Sequence, residues 1–229
     1  MKEQRAKPEV ALAREVQIPS GEVILEGELI TFKEPSGIVL FAHGSGSSRH
    51  SPRNQYVARV IREAGIGTLL FDLLTKEEEA VDLRTRHLRF DIGLLASRLI
   101  EATKWITGQD ETRHLRIGYF GASTGGAAAL VAAAELGEDV SAVVSRGGRP
   151  DLARAALARV VAPTLLIIGG LDDMVIQLNE EAYAQLRCTK ELKIIPGATH
   201  LFEEPGKLEV VARLAAEWFR QYLQTLEMG

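Results

Sequence analysis

The chain has 229 residues, enough for one ordinary domain with a buried core. Its composition, 46% hydrophobic and 25% charged, is that of a soluble globular protein, and a net charge of -4 leaves no surplus of Lys and Arg for nucleic acid. The single cysteine, Cys188, excludes an internal disulfide and a zinc cluster of cysteines.

The opening stretch, MKEQRAKPEVALAREV, is charged throughout and lacks the apolar core of a signal peptide. Residues 1–20 read as an N-terminal extension or a first edge strand. Val23–Phe32 alternates in part, as an exposed or edge strand does. Six short apolar runs follow: Gly37–Ala42, Gly67–Leu74, Leu115–Phe120, Val140–Ser145, Thr164–Ile168 and Leu192–Ile195. Rich in branched residues and bounded by Gly or Pro, they suit strands buried on both faces. Between them lie helical patterns at Pro52–Ala64, Leu88–Ile106, Ser123–Leu136, Asp151–Arg159, Asn179–Leu186 and Lys207–Leu226. Lys76–Asp82 reads as a solvated helix face or a mobile rim. The alternation implies a mainly parallel sheet covered by helices on both faces, an α/β/α sandwich in one domain spanning 1–229.

The chemistry gathers where these strands end. Gly121-Ala122-Ser123-Thr124-Gly125 matches G-x-S-x-G between a predicted strand and a predicted helix. There a sharp turn exposes a serine at the carboxyl end of the sheet, where open α/β folds keep their sites. A serine hydroxyl needs a base to act as nucleophile. Of five histidines, His114 precedes the serine's strand and belongs at the opposite end. His87 lies in a charged segment, and His43 closes a strand and reads as structural. His200 follows the last strand on the side of Ser123 and is the predicted base. A carboxylate must fix its tautomer; the run GGLDDMV offers Asp172 and Asp173. Asp172 is favoured, because Val175 can pack back beneath the loop while that carboxylate turns inward. The oxyanion hole needs two backbone N–H donors, assigned to Thr124 and to Ser45 in the loop HGSGSS.

The four stretches HGSGS, GASTG, GGLDDMV and GATHLFEE, in this order and spacing, resemble the α/β-hydrolase fold. The small size without a cap insertion resembles its dienelactone-hydrolase-like branch. The resemblance covers nearly the whole chain from Val23 onward. It implies an eight-stranded (or seven-stranded) sheet with an antiparallel second strand, a Ser-His-Asp triad and no cofactor or metal. Dienelactone hydrolase proper carries a cysteine nucleophile; Ser123 at that position favours an ordinary serine esterase. GSGSSRHSPRN and SRGGRPDLA resemble a bacterial subgroup sometimes joined to a phosphoribosyltransferase domain.

The expected reaction is hydrolysis of short-chain carboxylic esters through an acyl-enzyme, in an open or shallow pocket. Thioesterase, lactonase and peptidase activities would share the same scaffold. A non-catalytic binding module would have no need of Ser123, Asp172 and His200 together. Arg146, Arg149, Arg49 and Arg53 fall near the site. Arg146 or Arg53 would bind a substrate carboxylate, unless these arginines pair with Asp72, Asp151 or Asp173. Asp72 reads as an organiser of the arginine-rich loop. The expected setting is cytoplasmic, as a monomer or homodimer without nucleic-acid or membrane partners.

Overall fold

In the computed structural model, which describes residues 8–224, eight strands form one sheet. They are β1 (Val10–Ser20), β2 (Val23–Phe32), β3 (Ile38–Ala42), β4 (Gly67–Phe71), β5 (Ile117–Ala122), β6 (Val140–Arg146), β7 (Thr164–Gly169) and β8 (Lys190–Ile195). Their order across the sheet is β1-β2-β4-β3-β5-β6-β7-β8. β2 runs antiparallel to both β1 and β4, and every pair from β4 to β8 is parallel. Every residue of β3, β4, β5 and β7 is buried, which is why those segments carry almost no polar side chains.

The helices are α1 (Pro52–Glu63), α2 (Lys76–Thr85), α3 (Ile92–Thr107), α4 (Thr124–Leu136), α5 (Asp173–Gln185) and α6 (Lys207–Leu223). α3, α4 and α5 pack their apolar residues against one face of the sheet, and α1 and α6 cover the other. α6 is expected to cover the sheet or serve a dimer, and it covers the sheet: Val211, Ala215, Phe219 and Leu223 are buried. The predicted end of this helix, Leu226, lies outside the described residues, as do residues 1–7.

Several elements differ from expectation for physical reasons. β2 is not the edge strand. A tight turn at Gly21, with φ of 58°, folds β1 back along its outer side in register from Ser20↔Val23 onward. β1 is the first edge strand that residues 1–20 offered as one alternative; only Val16, Ile18 and Ser20 are buried along it, so its pattern is weak. Residues 88–90 form a separate 3-10 turn, and α3 begins after Asp91, whose side chain accepts from the Leu94 N–H at 2.9 Å. Pro150–Arg159 is not an α-helix but 3-10 turns broken at Arg154, which has φ of 49°. Its buried Ala153 and Ala156 stand three apart, the spacing that a 3-10 turn stacks on one face. α5 starts six residues before the predicted Asn179, because Val175, Asn179 and Ala182 form one buried stripe. Lys76–Asp82 is a solvated helix face, as expected, with one exception: it opens α2 with a Thr75–Glu78 capping box, and Asp82 turns inward. Asp82 is only 2% exposed.

Candidate active site

Ser123 sits between β5 and α4 with φ of 51° and ψ of -122°. Such a backbone costs an L-residue about 1–3 kcal/mol and persists only where its surroundings impose it. Here they do. A Cβ on Gly121 would stand 2.5 Å from the Gly125 carbonyl oxygen, and one on Gly125 would run into the Ala42 carbonyl. The turn is therefore as tight as the G-x-S-x-G spacing requires. Because α4 begins at Thr124, its first amides have no intrahelical acceptor and its positive end faces Ser123.

One short connector holds the serine and runs beside the predicted base. The Ser123 N–H donates to the Arg146 carbonyl at 3.3 Å, and the Arg149 N–H donates to the Ser123 carbonyl at 3.1 Å. Within the same connector, a Cβ on Gly147 would lie 3.5 Å from ring atoms of His200. The His200 loop is fixed from the other side by two further bonds. Gly170 N–H donates to the Ile195 carbonyl at 2.8 Å, and Leu171 N–H to the Ala198 carbonyl at 2.9 Å. Phe202 anchors the loop by burying its ring at a φ of 57°, a costly conformation for a bulky side chain. This stapling brings Asp172 to His200, whose Nδ1 stands 2.7 Å from Asp172 Oδ2. With Nδ1–H donating to the carboxylate, the Nε2 lone pair is free to accept a proton. Asp173, the rival carboxylate, is the first residue of α5 and is exposed.

On the other flank, the HGSGSS loop crosses over Ser123. A Cβ on Gly44 would lie 3.0 Å from the Ser123 Cβ. Ser45 Oγ and Thr124 Oγ1 are hydrogen-bonded at 3.1 Å, so the two residues assigned to the oxyanion hole are neighbours. His43 is buried; its Nε2 accepts from the Leu73 N–H at 2.9 Å, and its Nδ1 lies 3.1 Å from the Gly44 carbonyl. Burial pushes its pKa down, and the neutral tautomer satisfies both contacts. Asp72 holds the same loop: Oδ1 accepts from the Arg49 N–H at 2.7 Å, and Oδ2 pairs with the Arg49 guanidinium.

Sequence reading misses one support. Ser45 Oγ also donates to the Arg89 carbonyl at 3.3 Å. That segment is locked by Asp82, which accepts from the Leu88 and Arg89 N–H groups and from the Arg89 guanidinium. In the sequence, Asp82 is one acid among several in a charged run, and nothing there marks it as buried. A cavity of about 230 Å³ lies against Ser45 and Thr124, with Arg49, Asp72, Asp82 and Arg89 in its wall.

Of the predicted anion-binding arginines, Arg146 is 5% exposed and its Nη2 lies 3.3 Å from Asn54 Oδ1. Arg53 donates to Glu203 at 3.0 Å. Neither pairs with Asp72, Asp151 or Asp173; Asp72 takes Arg49 and Asp151 takes Arg149. His87 and His114 are exposed, and His114 precedes β5 at the far end of the sheet. Among the described residues no helix is long and apolar enough to cross a membrane.

Comparison with known proteins places this geometry. The model of the dienelactone hydrolase family matches residues 30–228. The crystal structure of a dienelactone hydrolase from Anabaena variabilis superposes with a TM-score of 0.92 at 63% identity, over 96% of this chain and 100% of that one. Est1E from Butyrivibrio proteoclasticus superposes at 0.75 with 16% identity, over 90% of this chain and 98% of its own, and shares the fold. A Mycobacterium tuberculosis protein, provisionally named a phosphoribosyl transferase, is 59% identical over 209 residues. That match covers 91% of this chain but only 46% of the relative, so the chain spans less than half the length of that curated protein. The chain belongs to the dienelactone hydrolase family.

Proposed function

We propose that this family member is a serine hydrolase that cleaves carboxylic esters through an acyl-enzyme, with Ser123 as nucleophile, His200 as base and Asp172 as the orienting carboxylate. The observation that carries the reading is that the strained serine and the Asp172-bound imidazole lie beside one connector, Arg146–Arg149. In the first half-reaction, His200 Nε2 takes the Ser123 proton as Oγ attacks the ester carbonyl. The Asp172 carboxylate stabilises the imidazolium, and the amides of Ser45 and Thr124 receive the negative charge on the carbonyl oxygen. The Ser45 N–H makes no hydrogen bond among the described residues, which leaves it available for that role. His200 then protonates the leaving alcohol. Water repeats the sequence and releases the acid.

A short acyl group is the expected preference: the cavity beside Ser45 and Thr124 has Leu74 and Leu95 as its aliphatic side chains among charged and hydroxyl residues, and neither Ser123 nor His200 lines it.

The test is labelling by a fluorophosphonate probe together with hydrolysis of 4-nitrophenyl acetate. The wild type labels at Ser123 and turns over; Ser123→Ala does neither while its circular dichroism stays native, with kcat reduced by at least about 10⁴-fold. Undiminished hydrolysis by Ser123→Ala ends the mechanism.

A further inference from the structure

α5 buries one stripe, Val175, Asn179 and Ala182, and an amide in the middle of that stripe is out of place. Asn179 is 0% exposed. Its Nδ2 donates to two carbonyl oxygens: that of Val175 at 2.8 Å, one turn back in its own helix, and that of Gly148 at 3.0 Å, in the connector Arg146–Arg149. Turning the amide over would set Oδ1 against both carbonyls, so its orientation is fixed. Oδ1 is buried with no partner among the described residues. A buried orphan acceptor lowers stability. A leucine would fill the same place without one, so packing does not account for the amide. Its bond to Gly148 does.

Gly148 is pinned from the other side as well. A Cβ there would run into the Ser145 hydroxyl and lie 3.6 Å from the Gly126 Cα. The residues on either side of Gly148 face the candidate site: Gly147 lies against the His200 ring, and the Arg149 N–H donates to the Ser123 carbonyl. At its other end, α5 begins directly after Asp172, whose carboxylate meets His200 Nδ1. Asp172 and Asn179 are seven residues apart, close to two turns, so they stand on one face of one rigid element. Two ties thus run from that face: Asp172 to the imidazole, and Asn179 to the connector that grips the serine.

We propose that Asn179 is a positioning residue, which sets the Asp172–His200 pair at its working distance from Ser123. This deepens the hydrolase reading and rests on it. Without the bond to Gly148, α5 and the connector can slide against each other. A misplacement of about 1 Å between reacting groups costs about a hundredfold in rate.

Asn179→Leu separates this role from a merely structural one. The variant loses one buried orphan, Oδ1, and gains another, the Gly148 carbonyl, so its melting temperature is expected within about 4 °C of the wild type. With 4-nitrophenyl acetate, kcat per fluorophosphonate-titrated site is expected to fall about tenfold or more, with KM within about twofold. The acid limb of the pH–rate profile should stay where it is, because the Asp172–His200 bond is untouched. Asn179→Ser keeps the test valid if Asn179→Leu fails to fold: its hydroxyl can still bond the Val175 carbonyl but does not reach Gly148, and the same fall in kcat is expected. Undiminished kcat per titrated site overturns the proposal, as does a displaced acid limb. A second arm is independent of chemistry. Amide hydrogen exchange at Ser123 and Arg149 is expected to quicken in the variant while the amides of β7 keep their protection. If the probe fails to label Ser123 in the wild type, the hydrolase reading falls, and this arm alone decides whether Asn179 tethers the connector: faster exchange supports the tether and unchanged exchange refutes it.

Discussion

Arg49 and Arg146 stand at the same end of the sheet, on either side of the strand that leads to Ser123, and the fold treats them in opposite ways. The Arg49 guanidinium meets Asp72 and Glu26, and Asp72 also accepts the Arg49 backbone N–H. Burial alone would lower its pKa, but these carboxylates outweigh it and the value is raised. Arg146 meets an amide oxygen and a second cation, and its pKa falls. A matched cation organises a loop; an unmatched one is a buried charge held by a single neutral oxygen. The residue type is the same, and the counter-ion decides its use.

The contrast is broken most severely by Asp72→Asn. It strips one of the carboxylates from Arg49 and weakens the acceptor of a loop amide, so a loss of about 2 kcal/mol is expected. Urea unfolding reads the stability, and kcat should fall with it as the HGSGSS loop leaves Ser123. Native stability in this variant would show that Glu26 alone suffices.

Acid sharpens the comparison from the same side. His43 is buried and neutral, with a pKa held below its ordinary value of 6.5 chiefly by desolvation. As pH falls below 6.5, the unfolded chain takes up a proton that the folded chain resists. Stability therefore drops between the unfolded value and the lower folded one, and is fully present above pH 6.5. Urea midpoints between pH 5 and 8 should show this slope, and His43→Gln should flatten it. An identical slope in the variant would assign the acid sensitivity elsewhere.

The smallest effect belongs to Arg146. Arg146→Met replaces an uncompensated buried charge by an apolar chain of similar length. It should be neutral or stabilising, by about 1 kcal/mol. A thermal melt checks it against Asp72→Asn: a loss as large as in that variant would mean that Arg146 has a counter-ion after all.

Much of this was legible in the residues. The triad candidates follow from where a strand–turn–helix pattern and two later loops must end in a parallel sheet, and Asp172 is separable from Asp173 because Val175 can pack back beneath the loop. Asp72 as organiser of the arginine-rich loop was also readable from its position at a strand end. β1 was hard to read because only its last few inward residues touch the core, so charge dominates the rest of the segment. Asp82 was read as solvated because acids on an outer helix face and an acid turned inward onto Arg89 look alike in one dimension. The missing partner of Arg146 is a property of space: Asp72, Asp151 and Asp173 are all close enough in sequence order to suggest pairing, and only the fold shows two of them occupied and the third facing solvent.

The connector Arg146–Arg149 constrains how this protein can vary. It grips Ser123 by both amide and carbonyl, and the imidazole of His200 rests against Gly147. Its length is therefore a gauge. An added residue there would shift Ser123 and the imidazole of His200 relative to one another, whereas the turn at Gly21, at the same end of the sheet but out at its β1–β2 edge, could grow without moving either. New specificities should accordingly arise by exchanging side chains along the connector and by lengthening loops elsewhere.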